Sequence, residues 1–235
     1  MRDLPRAIQR LVAHLALSRC PHRDAVAGAL WPDVPEEHAH GSLRSALWRL
    51  RRLAPGMVET PGDSLRLGAD VRVDVRELET WASRVLDLRV RGGDVVVPEE
   101  ALRGELLPGW HEDWVALERE RVRQLRVHAL EAVADELIRI GRPGAAAEAA
   151  RAAARGHPLR ESAHRVLVRA HLAAGEVAEA RRAYESFREA LADTLGIAPT
   201  PSMTALLTDP RLFDGRPAPG PDVLREVPGA GHGSG

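Results

Sequence analysis

Residues 36–54, EEHAHGSLRSALWRLRRLA, constrain the fold of this chain more than any other stretch. Wound as a helix, at about 100° per residue, they place Leu43, Ala46, Leu47, Leu50, Leu53 and Ala54 on one arc. The opposite arc carries Gly41, Arg44, Ser45, Trp48, Arg49 and Arg52. One face is therefore predicted to pack on a core while the other presents guanidinium groups and a large aromatic. Glu36 and Glu37 open the helix, where the dipole favours negative charge, and four arginines follow between positions 44 and 52. Two readings compete for such a helix: a solvated basic face, or a surface that reads nucleic acid.

The flanking sequence favours the second. PRAIQRLVAHLAL, from Pro5 to Leu17, repeats apolar residues at Ile8, Leu11, Val12, Leu15 and Ala16, with Pro5 suited to a first helical turn. Arg23 to Leu30 reads as a short helix with Val26, Ala27 and Leu30 inward, stopped at Trp31-Pro32 because a residue before proline avoids the helical region. Three helices on short turns, the third basic, are the pattern of a helix-turn-helix domain. Met57–Thr60 and Ser64–Leu67 then flank Pro61-Gly62-Asp63, a predicted hairpin placed where a winged helix has its wing. Arg66 is the one basic side chain of that hairpin.

Charge follows the same division. Residues 1–73 hold 11 Arg against 8 Asp and Glu, a net of +3 in a chain whose net charge is −1. A basic front part and an acidic remainder fit a nucleic-acid module joined to a partner module. Every basic residue is arginine, with no lysine or asparagine, the mark of a GC-rich genome, so no single arginine is diagnostic. Cys20, the one cysteine, is expected as a buried thiol between the first two helices. No apolar run reaches membrane-spanning length and no signal-peptide pattern opens the chain, so a cytoplasmic, nucleoid-associated protein is expected.

From Val71 the pattern changes. Val71, Val73 and Val75 alternate as a last short strand, with Asp74 as a helix cap. Val75 to Leu86 forms a helix with Leu78, Trp81, Ala82, Val85 and Leu86 inward, and Arg91–Asp94 forms a turn. Pro98-Glu99-Glu100 opens a further helical segment, and Leu106–Trp110 is a break. Glu112 to Ile140 is one long helix whose apolar positions, Val115, Leu117, Val122, Leu125, Val127, Leu130, Val133, Ala134 and Leu137, cover more than one face. An internal period follows. Gly141 and Gly175 lie 34 residues apart, and the pairs Ala146/Ala180, Ala149/Ala183 and Ala150/Tyr184 keep that spacing. Pro158 closes the first unit, but Ala192 replaces it in the second, so the second helix is expected to run on to Gly196. This period, with small residues where helices touch, is that of tetratricopeptide-like repeats, which bind proteins, peptides or small ligands in a groove and in some regulators act as spacers or dimer surfaces. The Pro- and Gly-rich tail reads as disordered.

The expected fold is therefore mainly α: a winged helix-turn-helix over residues 1–73, a tetratricopeptide-like helical domain over 74–207, and a disordered tail over 208–235. The strings LPRAIQRLVAHLAL, ALWPDVPEEHAHGSLRSALWRLRR, LRLGADVRVDVRELE, LLPGWHEDWVALERERVRQLRVHALEAVA and PLRESAHRVLVRAHLAAGEVAEARRAYESFREAL resemble the family of Streptomyces antibiotic regulatory proteins over roughly residues 4–207. The resemblance implies an OmpR-type winged helix and a bacterial transcriptional activator domain. It also implies binding to direct repeats in promoters of double-stranded DNA, side-by-side dimers on DNA, and contact with RNA polymerase and its sigma factor. A secondary-metabolite gene cluster is the implied target. Two departures stand out. The family's winged helix begins with an N-terminal sheet, whereas here Met1 lies just before the first helix. A misassigned start, a trimmed chain and a lost sheet are the three alternatives, and loss of the sheet is expected to leave the first two helices partly uncovered. The second is Trp48, where the family would place a small or polar residue; contact with the wing is the first expectation for it.

The expected DNA-facing residues are Arg44, Ser45, Trp48, Arg49 and Arg52, with Arg66 on the wing and Arg23 as a phosphate contact. Arg51, nearer the packed side, is a weaker candidate, and His38 and His40 are expected to be solvated rather than to hold phosphate. Arg121 and Arg123 of the long helix, beside Glu118 and Arg119, are expected to be free surface charges for a protein partner. No catalytic residue, metal site or cofactor is expected: the histidines do not share a ligand face, and no phosphate loop or nucleophile elbow appears. The competing class is an adaptor that no longer binds DNA, suggested by the missing sheet.

Overall fold

The computed structural model describes residues 4–87, 96–102 and 104–208. The turn expected at Arg91–Asp94 and the tail from Asp209 onward lie outside these residues.

Helix α1 (Arg6–Leu17) starts on the Pro5 carbonyl, which accepts from the backbone of Ile8 and Gln9, so Pro5 precedes the first turn rather than standing in it. Helix α2 (Arg23–Leu30) and helix α3 (Glu36–Leu53) follow on short turns. Acids in the first turn of α3 and arginines in its last complement the helix dipole at both ends. The hairpin is β1 (Val58–Glu59) antiparallel to β2 (Arg66–Leu67), with Val58 opposite Leu67 and Glu59 opposite Arg66. Its base needs glycine at one point. A Cβ on Gly68 would stand 2.2 Å from the carbonyl oxygen of Gly56, closer than any side chain allows. The hairpin's far arm is tied back to the α1–α2 turn by Leu65 N–H donating to Pro21 O and Arg23 N–H to Asp63 O, both at 2.9 Å.

Val71, Val73 and Val75 do not form the expected strand. Helix α4 (Asp74–Asp87) begins there instead: the Asp74 carboxylate accepts the Val75 N–H at 2.7 Å, and the Val73 carbonyl accepts from Arg76 and Glu77. The alternating valines are anchors at a helix start, with Val73 and Val75 buried against the core.

The remaining elements are α5 (Glu99–Leu102), α6 (Asp113–Arg139), α7 (Pro143–Gly156), α8 (Glu161–Ala173), α9 (Val177–Leu195) and α10 (Pro201–Ala205). Helices α6 to α9 pack each on the next. The 34-residue period has direct structural counterparts. Gly141 and Gly175 both end their helices at φ +76°, a conformation that costs little only for glycine. Ala146 and Ala180 are both fully buried, and Ala149, Ala150 and Ala153 bring α7 close to its neighbours. In the second unit α9 runs on, ending at Gly196 in the left-handed region.

One continuous core runs from Ile8 through α4 and α6 to Ala170, and a second, smaller cluster around Phe187 closes the far end. Three residues expected inward are outside it: Leu53, Leu86 and Leu117, the last 75 % exposed. Leu53 and Leu86 lie at the ends of their helices. Leu117 lies on the side of α6 that faces neither α4 nor α7. Cys20, expected to be buried, is exposed.

Among the described residues the first two helices are more fully covered than expected, although Ala16 and Leu17 of α1 remain half-buried along an open cleft of about 810 Å³. Ile8, Leu11, Leu15, Val26 and Leu30 are all essentially inaccessible. Part of the cover comes from later in the chain. The Arg76 guanidinium donates to Leu15 O at 2.7 Å and Ala16 O at 3.0 Å, fastening α4 to the end of α1. Glu112 lies between Arg6 and Arg10 at 3.0 and 3.2 Å. The Arg6 guanidinium lies 3.9 Å over the Trp110 ring, and Trp114 meets His14 edge-on at 5.0 Å. Burial pushes the His14 imidazole below its ordinary pKa, opposed in part by Glu118.

Candidate nucleic-acid interface

The inward face of α3, made of Ala39, Leu43, Ala46, Leu47 and Leu50, packs on α1, α2 and the hairpin. That fixes the rotation of the helix and sends Arg44, Ser45, Trp48, Arg49 and Arg52 to the surface, all exposed. The guanidinium groups of Arg44 and Arg49 have no carboxylate partner among the described residues. Arg52 lies over the Trp48 ring, 4.9 Å from its centroid, a cation–π contact at an exposed site. Trp48 is 59 % exposed, and Arg52 rather than the hairpin is its partner.

Arg44, Ser45 and Arg49 share one side of a shallow groove of about 630 Å³, with Gly41, Ser42 and His38 along its floor and rim. Arg44 also faces a smaller cleft of about 320 Å³ with Arg23, so the structure brings these two expected contacts together. Periodicity could not have shown this groove, whose far wall is Pro5, Ala7 and Ile8 of the α1 region. His40 is held between Asp24 at 3.4 Å and Glu36 at 3.6 Å, while His38 is exposed.

Arg66 is less available than the sequence suggests. Its Nε donates to Glu59 at 2.7 Å, across the register pair of the hairpin, so its charge is locally neutralised. Arg51, expected near the packed side, is exposed and donates to Thr60 Oγ1 at 3.3 Å, joining α3 to the hairpin.

Arg121 and Arg123 are not the free surface charges expected. Arg121 bridges Glu79 of α4 at 2.6 Å and Glu118 at 2.8 Å, and Arg19 reaches the same Glu79. The carboxylates raise its pKa against the opposing effect of burial. Arg123 pairs with Glu120 and donates to Gly156 O at 3.2 Å, joining α6 to the end of α7. Arg119 is more committed still, donating to the carbonyls of Leu106, Leu107 and Trp110 and pairing with Glu105. These arginines hold α6 to its surroundings, so reversing Arg121 or Arg123 would disturb packing rather than alter a free surface charge. Glutamate at 121 would meet Glu79 and Glu118.

No group of three or more His, Cys, Asp or Glu side chains is placed to hold a metal ion among the described residues, and no described helix is long and apolar enough to cross a membrane.

The chain thus joins an arginine-bearing helix with a hairpin behind it to a series of stacked helical pairs. Residues 99–209 match the family model of the bacterial transcriptional activator domain. The chain is 31% identical over 198 residues to the regulatory protein AfsR of Streptomyces coelicolor, an alignment covering 78% of this chain and 20% of AfsR. It shares its fold with EmbR of Mycobacterium tuberculosis, solved in complex with a low-affinity phosphopeptide: TM-score 0.61, 24% identity, over 91% of this chain and 60% of EmbR. The chain thus spans a fifth of one relative and three-fifths of the other.

Proposed function

We propose that the chain is a sequence-specific, double-stranded-DNA-binding transcriptional activator of the Streptomyces antibiotic regulatory protein kind. In this reading residues 1–73 are a winged helix that lays α3 in the major groove, and 74–207 are the tetratricopeptide-like activator domain. The observation that carries the reading is that Arg44 and Arg49 stand exposed, without a carboxylate partner among the described residues, on the outward face of a helix whose other face buries Ala39, Leu43, Ala46, Leu47 and Leu50. Arginines that make no internal contact are the ones free to hold phosphate or to read guanine bidentately. Ser45 suits a phosphate contact, and Trp48 with Arg52 forms a flat stacked surface for sugar or a thymine methyl. Arg23 lies where the second helix meets the backbone. Arg66 reaches DNA only by exchanging Glu59 for phosphate.

Dimeric binding to direct repeats and recruitment of RNA polymerase through its sigma factor complete the proposal, with a secondary-metabolite gene cluster as target and the cytoplasmic nucleoid as location. No enzymatic step or cofactor enters. The adaptor reading was suggested by the missing N-terminal sheet; the burial of Ile8, Leu11 and Leu15 supports a first helix that is packed among the described residues.

The test starts from duplexes selected by the full chain out of a random pool. Arg49→Ala and Arg52→Ala should each weaken binding in gel-shift titrations. A base-reading arginine costs about 1–3 kcal/mol and relaxes preference at one position, while a phosphate contact weakens all sequences alike. Wild-type affinity in both variants contradicts the assignment of α3. A selected duplex placed upstream of a promoter should raise transcription by purified RNA polymerase; occupancy without stimulation contradicts the activator half.

A further inference from the structure

The repeat domain carries a second concentration of positive charge, on a different surface from α3. A cleft of about 640 Å³ opens between α6, the end of α7 and the segment following α5. Arg119, Arg123, Arg126 and Arg155 line it, against the two carboxylates of Glu105 and Glu120. The remainder of its wall is apolar, including Leu102, Leu106, Val122 and Ala152. This excess of cation sits in the acidic part of the chain: with a net of +3 over residues 1–73 and −1 overall, residues 74–235 carry −4.

The four guanidinium groups are not equivalent. Arg119 and Arg123 are occupied by carbonyls and by their acids, as described above. Arg126 donates to Gly104 O and is half-buried, and burial together with the neighbouring Arg123 pushes its pKa down. His157, next in the chain to the lining residue Gly156, is pushed down by burial and then by Arg123 and Arg160. Burial is the larger cause of both shifts, and the neighbouring arginines add to it. Arg155 is exposed at the mouth and makes no ion pair among the described residues. Gly156 keeps the wall thin: a Cβ there would press on the Val127 side chain at 3.0 Å.

We propose that this cleft is a binding site for a small organic anion with an apolar body and a phosphate or carboxylate head. The apolar wall takes the body, while Arg126 and Arg155 take the head. A volume of this order suits one small molecule, and a few convergent polar groups on an apolar lining are the usual composition of such sites. Arg155 is the entry cation. Arg126, already held by Gly104 O, is the buried one, and an anion beside it offsets the repulsion from Arg123.

The probe is 1-anilinonaphthalene-8-sulfonate, which combines an aromatic body with an anionic head and fluoresces when its body leaves water. The full chain should bind it saturably at one site. Arg155→Glu should weaken binding at least tenfold, and Arg155→Gln by an intermediate factor. Arg181→Glu, an exposed reversal on α9, should leave it unchanged. Circular dichroism of each variant must match wild type, as expected for exposed residues without partners. Phenyl phosphate and benzoate are then used as competitors, and the tighter one identifies the head group. In NMR titrations that competitor should raise the His157 pKa. Four results would overturn the site: unsaturable fluorescence, equal loss in the 155 and 181 reversals, displacement by neither aryl anion, or a His157 pKa unmoved by the competitor.

Discussion

A fragment ending at Val73 should show no cooperative thermal transition by circular dichroism, whereas a fragment spanning 74–208 should melt cooperatively. The first part keeps α1, α2, α3 and the hairpin but loses what covers α1 from outside. Val75, Leu78 and Trp81 of α4 leave the shared core, and the two Arg76 hydrogen bonds to the end of α1 are lost. The Glu112, Trp110 and Trp114 contacts to Arg6, Arg10 and His14 go with them. A domain of this size buries too small a fraction of its surface to be more than marginal even when complete. The second part keeps every stacked pair from α6 to α9, and stacked pairs draw their stability from nearest neighbours. A sharp, reversible melt of the 1–73 fragment would mean that the α1 core does not depend on α4 and α6.

Phe187→Ala should destabilise the far end of the repeat domain by about 3–5 kcal/mol, the usual range for a buried Phe truncated to Ala. The ring is fully buried among Val168, Leu172, Tyr184, Leu191 and Met203. It also stacks on His164 with centroids 4.3 Å apart. Denaturant titration gives the stability, and NMR of His164 gives a local reading. Burial holds the His164 pKa below its ordinary value of 6.5, with the Pro158 carbonyl opposing, so opening the cluster should raise it. The sign for the intact protein follows. A histidine depressed in the folded state binds its proton more readily when unfolded, so stability is lost as pH falls below about 6.5. A variant within about 1 kcal/mol of wild type, with His164 unshifted, would contradict the packing described for this end.

Local signals were legible in the sequence wherever a short stretch decides its own conformation. The bounds of α2 and α3, the end of α2 at Trp31-Pro32, and the glycines at 141, 175 and 196 follow from periodicity, proline and the left-handed turn. The outward set of α3 follows from the same periodicity, which is why Arg44, Ser45, Trp48, Arg49 and Arg52 emerge exposed together. Contacts across long sequence separations were not legible. Nothing near Arg6 or His14 announces Trp110, Glu112 and Trp114, about a hundred residues later. Nothing near Arg121 announces Glu79, which turns an expected free cation into a brace. Leu117 shows the same limit from the other side: helical spacing marks it apolar, but only the placement of α4 and α7 determines which faces of α6 are covered. At Val71–Val75 a two-residue alternation stood against one helix cap, and the hydrogen bond from Val75 N–H to Asp74 prevailed.

The claim that α3 is the DNA-contacting element is tested most directly by the salt dependence of binding. Affinity of the full chain for a selected duplex is measured by fluorescence anisotropy at several salt concentrations, for wild type and for the combined Arg44→Ala, Arg49→Ala, Arg52→Ala variant. Each phosphate contact adds about 0.9 to the slope of log affinity against log salt. The account predicts a steep slope for wild type. In the variant it predicts a slope lower by about one for each of the three arginines that holds phosphate, and an affinity reduced at least a hundredfold, since each lost contact costs about 1–3 kcal/mol. A variant that keeps both slope and affinity would place the DNA-binding surface elsewhere on the chain.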